Sequence, residues 1–121
     1  MPRSKRRRLS RSAEFDRVYR EGRSHAGRHL VLYSFPREVA ADDESPRLGL
    51  SVGRKVGGAV ERNRVKRLLR EAFWASEQSL PAGHDFVVVA RADAAQLAER
   101  EGLEGIRGEL VELLEKAGAK S

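Results

Sequence analysis

The stretch G-G-A-V-E-R-N-R-V-K-R-L-L-R-E-A-F-W, from Gly57 to Trp74, carries two patterns at once. Val65, Leu68, Leu69, Ala72 and Phe73 recur at the spacing of one helical face, which predicts a helix from about Ala59 to Ser76. Arg62, Lys66 and Arg70 form an i, i+4, i+8 row away from that face, with Asn63 and Arg67 beside it. With Arg64, that makes five cations within nine residues, against only Glu61 and Glu71. A solvated charged face is stabilised by alternating signs. Like charges at i, i+4 instead cost an isolated helix a few tenths of a kcal/mol per pair. A helix that keeps this repulsion points to an anionic partner that offsets it. Asn63 adds two donors and an acceptor where a plain charged face needs neither.

Upstream of this helix, Arg54 and Lys55 stand among Gly53, Gly57 and Gly58. Glycine lets another backbone approach, and the free N–H groups of a helix start favour an anion. The spacing is not G-x-x-x-x-G-K-[ST], so this is not a nucleoside triphosphate loop. Arg47 to Gly53 reads as a strand with Leu48, Leu50 and Val52 inward. Arg28 to Phe35 reads as another, with His29, Val31, Tyr33 and Phe35 on one side and Leu30, Leu32 and Ser34 on the other. The acidic connection Pro36 to Pro46, with Asp42, Asp43 and Glu44, joins them, so the two are expected to form a hairpin. Phe15, Val18, Tyr19 and Gly22 mark a short first helix, with Ser10 or Ser12 as N-cap and Glu14 and Asp16 in its first turn.

Downstream, Pro81 and Gly83 lie in a turn from Leu80 to Asp85. Asp85 to Arg91 is a third strand, apolar on both faces and therefore central. Leu103, Ile106, Leu110, Leu113, Leu114 and Ala117 place a last helix on the core. The order is α-β-β-α-β-α, an α+β sandwich of helices packed on a small mixed sheet. Residues 1–9 are expected to be a basic flexible arm, and residues 10–118 a single domain.

The 121 residues suit one modest core, and 40% apolar with 35% charged residues suit a folded, highly charged protein. Without cysteine, neither a disulfide framework nor a cysteine-based zinc site is possible. The longest apolar run, Phe86 to Ala90, is far too short to span a bilayer, and no apolar run behind the basic start suggests a secretory signal. The net charge of +6 is segregated. Residues 1–30 hold ten cations and three anions, residues 51–74 seven and two, and the remaining segments are acidic. Nineteen of the 24 cations are Arg, whose planar fork pairs with phosphate and stacks on bases. Clustered basic charge of this kind is the footprint of a polyanion.

Other candidates are weaker. Phe15, Tyr19 and Tyr33 read either as core or as a stacking platform for unpaired bases beside cations. His25 and His29 have the i, i+4 spacing of helical zinc ligands, but Gly27 and the strand pattern argue against a helix there. No paired carboxylates and no Ser, His, Asp constellation stand out, so no catalytic residue and no metal ligand is assigned. A protein-only nuclease would need such a cluster. A ribosomal or general RNA-binding protein would need only the basic helix.

The motif residues resemble the signature of the bacterial ribonuclease P protein family. They are Ser51-Val52-Gly53-Arg54-Lys55, then Gly57 to Val60, then the R-N-R-x-K-R-x-x-R-E-x-F run from Arg62 to Phe73. Leu9, Phe15, Val18-Tyr19, Gly22-Arg23 and Val31-Leu32-Tyr33 are similar to that family too, and the resemblance covers about residues 7–115. It implies a fold like the second domain of ribosomal protein S5, with a left-handed βαβ crossover against the usual hand. It also implies a cytoplasmic ribonucleoprotein in which a catalytic RNA, using Mg²⁺ held mainly by that RNA, removes the 5′ leader of precursor tRNA. No organic cofactor and no membrane are implied, and the free protein is expected to be monomeric. By position, Arg54, Lys55, Arg62, Asn63, Arg64, Lys66, Arg67 and Arg70 would meet the RNA subunit. Phe15, Tyr19 and Tyr33 would line a cleft for the single-stranded leader. Position 58 departs from the family, which commonly has Asn where this chain has Gly58.

Overall fold

Phe86-Val-Val-Val-Ala90 has no polar side to show to water, and it becomes the middle of the sheet. The computed structural model describes residues 7–9, 12–36, 46–81 and 83–118. Its elements are β1 (Arg7–Arg8), α1 (Ser12–Glu21), β2 (Arg23–Ala26), β3 (Leu30–Pro36), β4 (Arg47–Ser51), α2 (Ala59–Ala75), β5 (His84–Ala90) and α3 (Ala94–Lys116). The sheet order is β1-β4-β5-β3-β2. β4 and β1 run parallel to their inner neighbours, while β3 and β2 are antiparallel to theirs. The result is the mixed α+β sandwich expected. Phe86 and Val88 join Leu30, Leu32 and Leu48 in a core under α2 and α3. Val87 joins Leu9 and Val18 in a smaller core on the opposite face, under α1.

The expected hairpin between the strands around Tyr33 and Leu50 does not form. β5 lies between β3 and β4 and pairs with both. A strand apolar on both faces is stable only with neighbours on each side, and β3 and β4 supply them. The hairpin that does form is β2 with β3, in register Ser24 with Tyr33 and Ala26 with Val31. The acidic connection falls in residues 37–45, outside the described residues. So do residues 1–6 of the expected arm, but its last three belong to the fold. Arg7 and Arg8 pair in parallel alongside Arg47 and Leu48 of β4, and Leu9 is buried. The last helix starts nine residues before Leu103, because Ala94, Leu97 and Ala98 also face the core. It breaks at Gly102, where φ of 60° and ψ of −146° suit only glycine.

Three local devices set the layers. Arg47 in β4 donates from Nε and Nη2 to the two carboxylate oxygens of Asp85 at 2.8 and 2.7 Å, and from Nη1 to Glu14 of α1 at 2.8 Å. Asp85 is only 2% exposed, so this fork matches a buried charge and pins α1 to the sheet. The hydrogen bond to Asp85 holds the guanidinium's pKa well above its ordinary value. Glu109 of α3 accepts from the backbone N–H groups of His29 and Leu30 at 2.7 and 2.8 Å and meets His29 Nδ1 at 2.8 Å, clasping α3 to the β2–β3 turn. At Gly22 a Cβ would stand 2.5 Å from the Val18 carbonyl and 2.6 Å from that of Ser34, so only glycine lets the chain leave α1 so close to β3.

Gly49 makes room for an aromatic ring. A Cβ there would lie 2.6 Å from Cζ of Phe15 and 3.0 Å from Cβ of Leu9. Gly49→Ala is therefore expected to lower stability by about 1–3 kcal/mol in chemical denaturation. Phe15→Leu in the same chain should recover part of that loss, while adding the two single effects would predict none.

Candidate nucleic-acid interface

α2 is held by its back. Val65, Leu68, Leu69, Ala72 and Phe73 are buried, as the periodicity predicts, and Phe73 packs edge-on against Phe86 with centroids 5.4 Å apart. That anchoring turns the opposite side outward. Asn63, Arg67 and Arg70 are exposed, and Arg62, Arg64 and Lys66 are half-buried. Arg54 and Lys55 sit exposed on a short 3-10 turn, Arg54–Val56, whose Val56 is buried as its footing. Among the described residues, none of these seven cations forms an ion pair with a carboxylate. The one polar contact they make is weak: Arg62 Nε donates to the Gly58 carbonyl at 3.4 Å. Gly58 is the N-cap of α2 and offers no side chain to its first N–H groups. The surface is thus a cationic ridge with its donors unspent.

The aromatic residues form a second surface on the α1 side of the sheet. The Tyr19 ring stands edge-on to Tyr33, with centroids 4.9 Å apart, and Phe15 is tilted against Tyr19 at 6.3 Å. Phe15 is half-buried against Leu9, Val18 and Val87, so it is chiefly a wall of this small core. Tyr19 is 38% exposed. α1 covers the face only in part. Val31, Tyr33, Phe35, Val89 and Ser51 all keep some exposure, and Val31, Val89 and Ser51 form one rung across three strands. Arg17 lies over the Phe35 ring at 5.9 Å, on the margin of the same face. Sequence reasoning assigned no role to Val31, Val89 or Phe35. Alternation placed Val31 and Phe35 beside Tyr33, but the pairing of β5 with β3 and β4 was needed to join them to Val89 and Ser51.

The two surfaces are contiguous along the chain. Ser51 ends β4 on the aromatic face and Arg54 opens the basic turn three residues later. Three extended residues reach about 10 Å at most. His29 does not join either surface. His29 is taken up by Glu109, and among the described residues no group of three or more metal-binding side chains is assembled.

Tyr19 reports on its surface directly. Burial against Tyr33 and the sheet raises its phenol above the ordinary 10.0, while a hydrogen bond with Ser51 pulls the other way. A raised pKa means that the folded state keeps a proton the unfolded chain loses. Tyr19's contribution to stability is thus whole below pH 10 and is lost as pH rises through the folded value. In a phenolate absorbance titration, Tyr19→Phe should remove a step above 10, and Ser51→Ala should move that step higher still. A step left in place by Tyr19→Phe would contradict this packing.

Comparison with known proteins agrees with the geometry. A family profile described as Ribonuclease P matches residues 3–118. The ribonuclease P protein component of Halalkalibacterium halodurans is 43% identical over 110 residues, covering 91% of this chain and 87% of that one. That of Clostridium acetobutylicum is 46% identical over 84 residues, covering 69% of each. The solved RNase P protein of Staphylococcus aureus superposes with a TM-score of 0.81 at 32% identity, over 97% of this chain and 100% of the other. The RNase P protein of Thermotoga maritima gives 0.79 at 32%, over 92% and 97%. Matched in sequence and in fold along nearly its whole length, this chain belongs to the ribonuclease P protein family.

Proposed function

We propose that this chain works in the cytoplasm as the protein subunit of ribonuclease P. It binds the catalytic RNA and the 5′ leader of precursor tRNA, and so assists the endonucleolytic cut that leaves the mature tRNA 5′ end. The observation that carries the reading is a ridge of seven cations, five on a helix anchored from behind and two on the turn before it, none neutralised by a carboxylate among the described residues. Arg54, Lys55, Arg62, Asn63, Arg64, Lys66, Arg67 and Arg70 meet the RNA subunit. Tyr19 and Tyr33 stack on unpaired leader bases, and Phe15 supports them from the core.

The division of labour follows from charge. A catalytic RNA and its RNA substrate repel each other. A small cationic protein between them lowers that repulsion and holds the leader in place. The bond is cut by the RNA with its own Mg²⁺. No side chain here serves as nucleophile or general base, and the free protein is a monomer.

Reconstitution tests this. The purified chain with Mg²⁺ should leave precursor tRNA intact. Adding the cognate RNA should give accurate 5′ cleavage at a Mg²⁺ concentration where that RNA alone is slow. Cleavage by the chain alone, or no gain over the RNA alone, would overturn the reading, and the second outcome would favour a ribosomal-type RNA-binding role.

The aromatic surface is tested by Tyr19→Ala, because Tyr19 is more exposed than Phe15 and its loss leaves the small core intact. The holoenzyme should lose about 1–3 kcal/mol of affinity for precursor tRNA carrying a leader, and nothing for mature tRNA. Equal losses for both substrates would remove the leader from this surface.

A further inference from the structure

The α2 ridge holds one side chain that neither the core nor electrostatics explains. Val60 is 71% exposed in the first turn of the helix. Apart from Tyr19, it is the only large hydrophobic side chain exposed among the described residues. It does not serve the fold: the buried stripe begins at Val65, and a β-branched residue is a poorer helix former than the alanine beside it. It also does not lie at the edge of the ridge. Asn63, Arg64 and Arg67 are its i+3, i+4 and i+7 neighbours, so it shares their face. Exposed Gly58 and Ala59 precede it, leaving its methyl groups unscreened on the N-terminal side.

We infer that Val60 is an apolar contact inside the RNA-binding surface, seated on a ribose or on the face of an unpaired base of the RNA subunit. The inference rests on the docking of α2 proposed above and specifies what lies at its N-terminal end. The occupant follows from the charge around it. Arg64 and Arg67 on the same face, neither paired with a carboxylate among the described residues, repel a basic protein and attract a polyanion, and RNA offers sugars and base faces between its phosphates. Phosphate contacts alone hold a helix without fixing where it sits, because every phosphate is alike. A methyl pair that must find an apolar surface gives the helix a register.

Salt separates this contact from its neighbours. Neutralising phosphates releases counterions, and burying methyl groups does not. The full chain is titrated with ribonuclease P RNA over a range of salt concentrations. Val60→Ala should weaken binding about three- to ten-fold at every salt, with the slope of log affinity against log salt unchanged. Val60→Thr keeps the shape but replaces a methyl with a hydroxyl, and should also weaken binding. The melting temperature of the free protein should not fall in either variant. Arg67→Ala is the comparator, and should flatten the slope by about one. Full affinity in Val60→Ala or in Val60→Thr would overturn the inference, as would a changed slope in Val60→Ala. If Arg67→Ala leaves both affinity and slope untouched, the docking of α2 falls and the inference with it. If Arg67→Ala behaves as expected and Val60→Ala is silent, only the inference falls.

Discussion

β5 must be covered from both sides. Phe86, Val87 and Val88 are all essentially without solvent contact, and they alternate between the two faces of the sheet. A side chain of this size gains about 1.5–3 kcal/mol when it leaves water, so no arrangement that exposes either face can compete. Val87 requires α1 together with Leu9 and Val18 above it, while Phe86 and Val88 require α2 and α3 below. Asp85, the second residue of the strand, is a carboxylate that this position also removes from water. Burying it is tolerable because Arg47 arrives from the neighbouring strand with a bidentate fork and carries Glu14 of α1 with it. The need to sheath one strand thus fixes the three layers and the attachment of the first helix.

The same constraint produces the outward ridge. Once Val65, Leu69 and Phe73 are committed to the sheet, helical geometry leaves Asn63, Arg67 and Arg70 facing away from it. The mutual repulsion of the cation row Arg62, Lys66 and Arg70 is small, a few tenths of a kcal/mol per pair in an isolated helix. Burial of five side chains on the other face outweighs it several times over. The protein can therefore carry unspent charge at little risk to its fold and keep it for a partner.

What could be read from the residues divides along physical lines. The buried stripe of α2, the alternation of Leu30, Leu32 and Ser34 against Val31 and Tyr33, and the central place of β5 were all legible, since each is a local period of hydrophobicity. The partner of each strand was not. Arg28–Phe35 and Arg47–Gly53 looked like a hairpin because sequence neighbours usually pair, yet β5, which begins only at His84, inserted between them. β2 went unseen because Arg23–Ala26 has no apolar alternation, and it is held by the β2–β3 turn and Glu109. The same limit applied to the aromatic surface. Phe15, Tyr19 and Tyr33 were visible as candidates, but Phe15's half-buried role depends on the missing side chain of Gly49, and the rung of Val31, Val89 and Ser51 exists only through long-range pairing.

Charge segregation completes the logic of the surface. α3 exposes Glu99, Glu101, Glu104, Glu112 and Glu115 against Arg100, Arg107 and Lys116, so its outer face is acidic. It packs beside α2 in the same layer, so a basic and an acidic face are neighbours on one side of a small protein. A polyanion approaching this side is drawn to one helix and turned away from the other. With the Debye length near 8 Å at physiological salt, that contrast acts over the last few ångströms of approach, where orientation is decided. The acidic face of α3 repels a polyanion that would lie across it.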